Sequence, residues 1–206
     1  MLFLYIEPTV LKHMIEKTKN LFVLFLTACL LSSCAKIYLR LTGNYKTPKQ
    51  EDAASLKKYC NKYNAQYDLL FTCNSAADFK TLMKRYPSLP TTLIYDKKGN
   101  LVAVNSGSSC PWLTLQKFKA LNDSNKNMIS VDRSNNFSDI LPYIRCADGD
   151  SNMLSSKIYD YLMVYTWAKF APKLSKSMFT TATEVRQAAH YKVKIVAIDM
   201  DEQKGW

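Results

Sequence analysis

Residues 36–121 predict an α/β fold, a small mixed sheet with helices on both faces. Three observations carry this expectation. Apolar residues alternate in Lys36–Leu41 (KIYLRL) and run together in Tyr67–Cys73 (YDLLFTC), as strands do, while Asp52–Tyr63 and Ala76–Arg85 keep theirs at helical spacing. The elements follow in the order β-α-β-α-β-β-α, where helical crossovers make strands parallel and the closing hairpin is antiparallel. The composition, 48% hydrophobic and 12% aromatic in 206 residues, can bury a sizeable core and does not read as disordered.

The chain opens with an export signal. Lys12, Lys17 and Lys19 precede the short apolar run Leu21–Cys34 (LFVLFLTACLLSSC), which ends in small residues and a cysteine. That is a positive n-region, an apolar h-region and a cleavage site. The run is shorter than the roughly 20 apolar residues a spanning helix requires. Leu31-Ser32-Ser33-Cys34 resembles the lipobox of bacterial lipoproteins, which implies that residues 1–33 are removed and Cys34 becomes the lipid-bearing first residue. Leu26-Thr27-Ala28-Cys29 also fits, but it would cut through the apolar core of the signal. Met14 opens a complete n-region by itself, so it is a plausible true start. The resemblance places the protein in the bacterial cell envelope, anchored to the membrane and facing the periplasm. Ala35 and Lys36, with no acidic residue after the cysteine, favour the outer membrane over the inner.

The elements of the first unit then follow in turn. Thr42–Glu51 is a loop rich in turn formers. Asp52–Tyr63 is a helix with Ala54, Leu56, Tyr59 and Cys60 on one face. Tyr67–Cys73 is a buried strand, and Asn74-Ser75 cap a helix over Ala76–Arg85 with Phe79, Leu82 and Met83 inward. Thr91–Tyr95 and Leu101–Val104 make a hairpin around Asp96–Asn100, and Trp112–Leu121 completes the segment as a helix. Asn122–Asn136 reads as a polar linker. Beyond it lie a strand at Tyr161–Trp167, a helix at Ala171–His190 and a strand at Val193–Asp199.

The stretch Leu89–Val102 (LPTTLIYDKKGNLV), with this element order, resembles the thioredoxin superfamily. There a strand opens on a cis proline followed by Thr, and an acidic turn with Gly leads to a second strand. The resemblance makes Pro90 the cis-proline candidate, which in that family aims a backbone edge at the redox site and the substrate chain. Tyr165–Leu174 (YTWAKFAPKL) followed by Val196–Trp206 (VAIDMDEQKGW) is similar to the other half of the same family, Trp-Ala-x-Trp-Cys-x-x-Cys with a later strand ending in Asp. Trp167 and Ala168 match, Phe170 replaces the second Trp, and the two cysteine positions fall on Ala171 and Leu174. The domains expected are a thioredoxin-like domain over 34–121, a linker over 122–136, and a partial second thioredoxin-like β-α-β unit over 137–206. That partial unit is either a truncated gene product or an extension docked on the first sheet.

Disulfide exchange needs a low-pKa thiolate at a helix N-terminus and a second thiol to resolve the mixed disulfide. Neither half supplies the pair. The expected function is therefore a binding or accessory module, holding a peptide or protein partner near Pro90, without thiol-disulfide oxidoreductase activity. Two alternatives stand beside it. One is a diverged oxidoreductase using Cys110, which sits at a helix start in GSSCPW where the dipole favours a thiolate. The other is a truncated tandem thioredoxin-like reductase. With Cys34 lipidated, Cys60, Cys73, Cys110 and Cys146 remain, and an oxidising compartment allows three pairings that sequence does not rank.

Other chemistries are excluded by missing motifs. No C-x-x-C is present, two histidines (His13 and His190) are too few for a histidine-rich metal site, and no cofactor or metal is expected. The acidic clusters Asp148–Asp150 and Asp199–Glu202 lack calcium-loop spacing. Neither a catalytic serine elbow, an H-E-x-x-H pair nor a phosphate-binding glycine loop occurs. Formal net charge is +11, and removing the signal leaves 25 basic against 15 acidic residues. The basic residues are scattered, as in Lys57-Lys58 and Lys84-Arg85, so the charge reads as a solvated surface near an anionic bilayer and not as a nucleic-acid site.

Overall fold

The computed structural model describes residues 45–122, 132–147 and 159–206. Cys34, the expected signal over 1–33 and the expected strand Lys36–Leu41 lie outside them.

Helix α1 spans Ala53–Lys62, and Asp52 caps it by accepting the Ser55 N–H at 2.9 Å. Such a cap satisfies one of the four N–H groups a helix start leaves without an intrahelical partner. Strand β1 is Leu69–Cys73, buried on both faces. Helix α2 spans Ala76–Arg85, with Ser75 as cap through its Oγ to the Asp78 N–H.

Strands β2 (Thr91–Asp96) and β3 (Asn100–Ser106) form the expected hairpin. Asp96 organises its turn, accepting the N–H groups of Lys98 at 2.8 Å and Asn100 at 2.9 Å. Gly99 closes it at φ +86°, and a Cβ there would lie 2.8 Å from Asn136 Oδ1. The positive φ calls for glycine.

Helix α3 is Cys110–Asn122. Beyond it come strand β4 (Asp132–Asn136), two 3₁₀ turns (Phe137–Asp139 and Leu141–Tyr143) and strand β5 (Ile144–Cys146). Strand β6 (Tyr161–Trp167), helix α4 (Pro172–Ala188) and strand β7 (Val193–Asp199) complete the described chain.

The seven strands of the described residues belong to one mixed sheet, in the order β4-β3-β2-β6-β7-β1-β5. β6 and β7 are parallel, as are β7 and β1. β2 runs antiparallel to β6, with Thr92 opposite Tyr165 and Asp96 opposite Tyr161. The class is α/β, as the sequence predicts.

The expected division into a domain over 34–121 and a partial unit over 137–206 is corrected by this order. β6 and β7 are inserted between β2 and β1, so the described residues of both segments share one sheet. The physical reason is that β1 and β2 are each apolar on both faces and each needs a neighbour along its edge. The later strands supply both. The expected linker 122–136 is likewise corrected at its end, because Asp132–Asn136 pairs with β3 as a strand. Its polar sequence suits an outermost strand.

Successive side chains of the central strands feed two cores, as a pleated strand requires. Met163, Tyr165, Trp167, Ile195 and Ala197 point to the face covered by α1, α3 and α4. Leu162, Val164, Val196 and Ile198 point to the opposite face, where α2 and the 3₁₀ turns supply Leu82, Phe137 and Ile140. Each such fully buried side chain contributes about 1.5–3 kcal/mol relative to an exposed one. The central pair β6–β7 is therefore the backbone of both cores.

Candidate functional site at the carboxyl edge of the sheet

Strands β1, β6 and β7 end together at Cys73, Trp167 and Asp199, and β2 begins at that same edge with Thr91. Helices α2, α3 and α4 all start there, since each follows a strand that arrives at it. Ligands of open α/β sheets bind outside the carboxyl ends of the strands. The edge is thus the candidate site.

The turn from β6 into α4, Ala168–Ala171, is fastened from two sides. Ser175 Oγ accepts the Ala168 N–H at 3.1 Å and donates to the Ala168 carbonyl at 2.7 Å. Asp201 accepts the Lys169 N–H at 2.6 Å and the Phe170 N–H at 3.4 Å. Ala171 stands at the helix cap with no side-chain cap bond, and Pro172 follows at N1. Proline suits that position, where its missing N–H is not required.

The Leu89–Pro90 peptide is cis. Beside it, Thr166 Oγ1 accepts the Thr91 N–H at 2.8 Å and donates to the Thr91 carbonyl at 3.3 Å. These two bonds hold the start of β2 one residue away from Trp167 and the fastened turn. Segments about 75 positions apart in the chain are brought together here.

Behind the turn lies a buried acidic pair. Asp199 is fully buried at the end of β7, and its Oδ2 accepts from Gln203 Nε2 at 2.8 Å and from the Asp201 N–H at 3.3 Å. Its Oδ1 has no partner. Burial, then repulsion from Asp201, pushes the Asp199 carboxyl well above the usual carboxylate range. Burial raises Asp201 too, but the Asp199 side chain and the N–H groups of Lys169 and Phe170 oppose it. Asp199 is therefore the proton-holding member of the pair.

In front of the turn opens a cleft of about 450 Å³, lined by residues that include Lys46, Lys49, Glu51, Tyr59, Lys169 and Asp201. Lys169 Nζ pairs with Glu51 Oε2 and lies 3.0 Å from Ser55 Oγ, which itself donates to Glu51. Tyr59 stacks on Trp167 with centroids 5.6 Å apart, and its hydroxyl is buried without a hydrogen-bond partner. The Trp167 indole N–H is likewise buried and unpartnered.

The cysteines are arranged for packing. Cys110 begins α3 at this edge, as the sequence predicts, but it is fully buried, 3.1 Å from Thr92 Oγ1 and donating to the Asn105 carbonyl at 3.3 Å. Burial pushes its thiol up despite hydrogen bonds from Thr92 and Thr114. Burial, with repulsion from Asp199 and Asp78, pushes Cys73 up to about 12. A reactive thiol needs the opposite, an accessible and electropositive setting. Cys60 is buried in α1 and Cys146 is half-buried in β5, and no disulfide joins the four. Among the described residues, no group of three His, Cys, Asp or Glu could hold a metal ion.

Sequence reasoning brought Pro90, Trp167, Ala171 and Leu174 into view, took Asp199–Glu202 only as an acidic cluster without calcium-loop spacing, and missed the Glu51–Lys169 pair. The i, i+2 spacing of the two aspartates was a readable signal, since alternate residues of an extended chain share a side. Nothing local marks Glu51 as a partner of Lys169, because they lie 118 positions apart. No protein-family model, curated protein or solved structure matches the chain.

Proposed function

We propose that this chain is a lipid-anchored bacterial envelope protein whose thioredoxin-like fold serves as a binding or accessory module without disulfide exchange. The observation that carries the reading is the contact of Thr91 with Thr166. It sets the Pro90 edge against the β6–α4 turn, where Ala171 and Leu174 occupy the positions that the family resemblance gives to cysteines. In that family the Trp-Ala-x-Trp half comes first and the cis-proline hairpin last. Here the hairpin half comes first, and strand order β7-β6-β2-β3 joins the two into one sheet. The chain thus combines the two half-matches as one thioredoxin-like unit with its halves exchanged in sequence. A peptide or protein partner would lie along the Pro90 edge. The buried, raised thiol of Cys110 gives the oxidoreductase alternative no support.

Insulin reduction with dithiothreitol as electron donor tests the silent site. The wild-type chain is expected to leave the rate at that of dithiothreitol alone. Turnover that vanishes in Cys110→Ser would overturn the accessory reading. The double variant Ala171→Cys/Leu174→Cys, checked for cooperative thermal unfolding, is expected to acquire turnover, because a helix start lowers a thiol's pKa. A folded variant that stays inert would refute the assignment of those two positions.

The anchor is tested separately with an alkyne fatty acid supplied to cells. Label is expected on the wild-type chain and none on Cys34→Ala. Equal labelling of both would remove Cys34 as the acceptor.

A further inference from the structure

The cleft at the carboxyl edge carries charge that the fold itself does not use. Of its lining lysines, Lys169 is engaged with Glu51, whereas Lys46, Lys49 and Lys62 are exposed and make no ion pair among the described residues. Lys62 and Lys176 both approach the ring of Tyr63, with Nζ atoms 5.5 and 4.3 Å from its centroid. The cleft's two carboxylates are occupied, Glu51 by Lys169 and Asp201 by two backbone N–H groups. Tyr45 is exposed and packs on Phe170 with centroids 5.2 Å apart. Exposed lysines beside an exposed tyrosine are side chains suited to a phosphate-bearing interface, where an aromatic ring sits at headgroup level and ammonium groups meet phosphates.

Where the chain enters this surface decides what covers it. The described residues begin at Tyr45, and the Lys46 N–H donates to the Phe170 carbonyl at 2.6 Å, which ties the entering segment to the cleft. Residues 34–45 can span at most about 40 Å when fully extended. A chain attached through Cys34 therefore keeps the cleft close to the bilayer. We propose that this lysine-lined cleft docks on the phosphate headgroups of an anionic phospholipid bilayer, an inference that rests on the anchored reading above. The occupant is the membrane surface itself, bound by charge as well as by the acyl anchor.

The test is co-sedimentation of the full chain with vesicles of phosphatidylcholine alone and of an equimolar phosphatidylcholine–phosphatidylglycerol mixture. The wild type is expected to prefer the anionic vesicles, and the preference should shrink with salt. At roughly fivefold per lysine, Lys46→Gln/Lys49→Gln/Lys62→Gln is expected to lower anionic partitioning about 100-fold and leave neutral partitioning unchanged. These are exposed substitutions, so folding should be preserved. Equal partitioning of the wild type onto both vesicles, or a triple variant that keeps the preference, would overturn the proposal. Release by inorganic phosphate at constant ionic strength would also overturn it, in favour of a soluble anion. An anionic preference without any neutral binding would support the cleft while overturning the anchor.

Discussion

Trp167→Ala is expected to destabilise the folded chain by about 3–5 kcal/mol, the usual cost of emptying a large aromatic site in a core. Trp167 is fully buried at the end of β6, stacked on Tyr59 and edge-on to Phe179 at 5.2 Å. Its removal opens a cavity between α1 and α4 and also ends two aromatic contacts, each worth about 0.5–1.5 kcal/mol beyond area. Domains of this size are stable by only about 5–15 kcal/mol, so one residue holds a large share. Urea and thermal unfolding should show the loss as a fall in Tm of about ten degrees. Trp167→Phe should recover more than half of it, since the indole N–H has no partner to lose. A loss below about 1.5 kcal/mol would mean that α1 and α4 close over the gap, and would deny Trp167 its central place.

Asp199→Asn is expected to stabilise the protein at pH 8, because burial and the neighbouring Asp201 hold the Asp199 carboxyl well above the usual carboxylate range. The sign follows from the raised carboxyl. Asp199 holds its proton well above the ordinary range in the folded chain, whereas the unfolded chain releases it near pH 4. Its contribution is therefore fully present below about pH 4 and is lost as pH rises toward the folded value. Asparagine keeps the shape and an oxygen for Gln203 but has no proton to surrender. The wild type should weaken steadily from pH 5 to 8 relative to the variant, and equilibrium unfolding across that range reads the difference. Curves that run parallel would show Asp199 ionised in both states. Asp52, lowered by its hydrogen bond to Lys204, works in the opposite direction at the acid end, where its pairing is lost as pH falls.

Elements with their own local signals were legible. The strands Tyr161–Trp167 and Val193–Asp199 and the helix Ala76–Arg85 were expected with the bounds they have, because apolar runs, alternation and a serine cap mark them locally. β4 and β5 were not read. Asp132–Asn136 (DRSNN) is a strand only because β3 offers it an edge, and Ile144–Cys146 is three residues held by β1. Tertiary pairing overrides propensity in such segments. The same limit hid the sheet order. Residues 34–121 read as a domain of their own and 137–206 as a partial second unit, and nothing in LPTTLIY or YLMVYTW says that Thr92 faces Tyr165. The site was readable where one segment carries it, at Pro90 and Trp167. It was unreadable where two distant segments meet, as at Glu51 and Lys169.

The place of β6 and β7 in the sheet also sets the order in which the molecule can be finished. They follow β1 and β2 in the chain, yet they stand between them in the sheet. A growing chain that has reached Asn122 carries helices α1–α3 and the β2–β3 hairpin, but the inner edge of β2 and the β7-facing edge of β1 are bare. Closure waits on residues 161–199, so most of its contacts span long stretches of chain, a topology that folds slowly. The sheet is therefore joined in one late step, when Tyr161–Trp167 and Val193–Asp199 enter between edges that earlier residues supply.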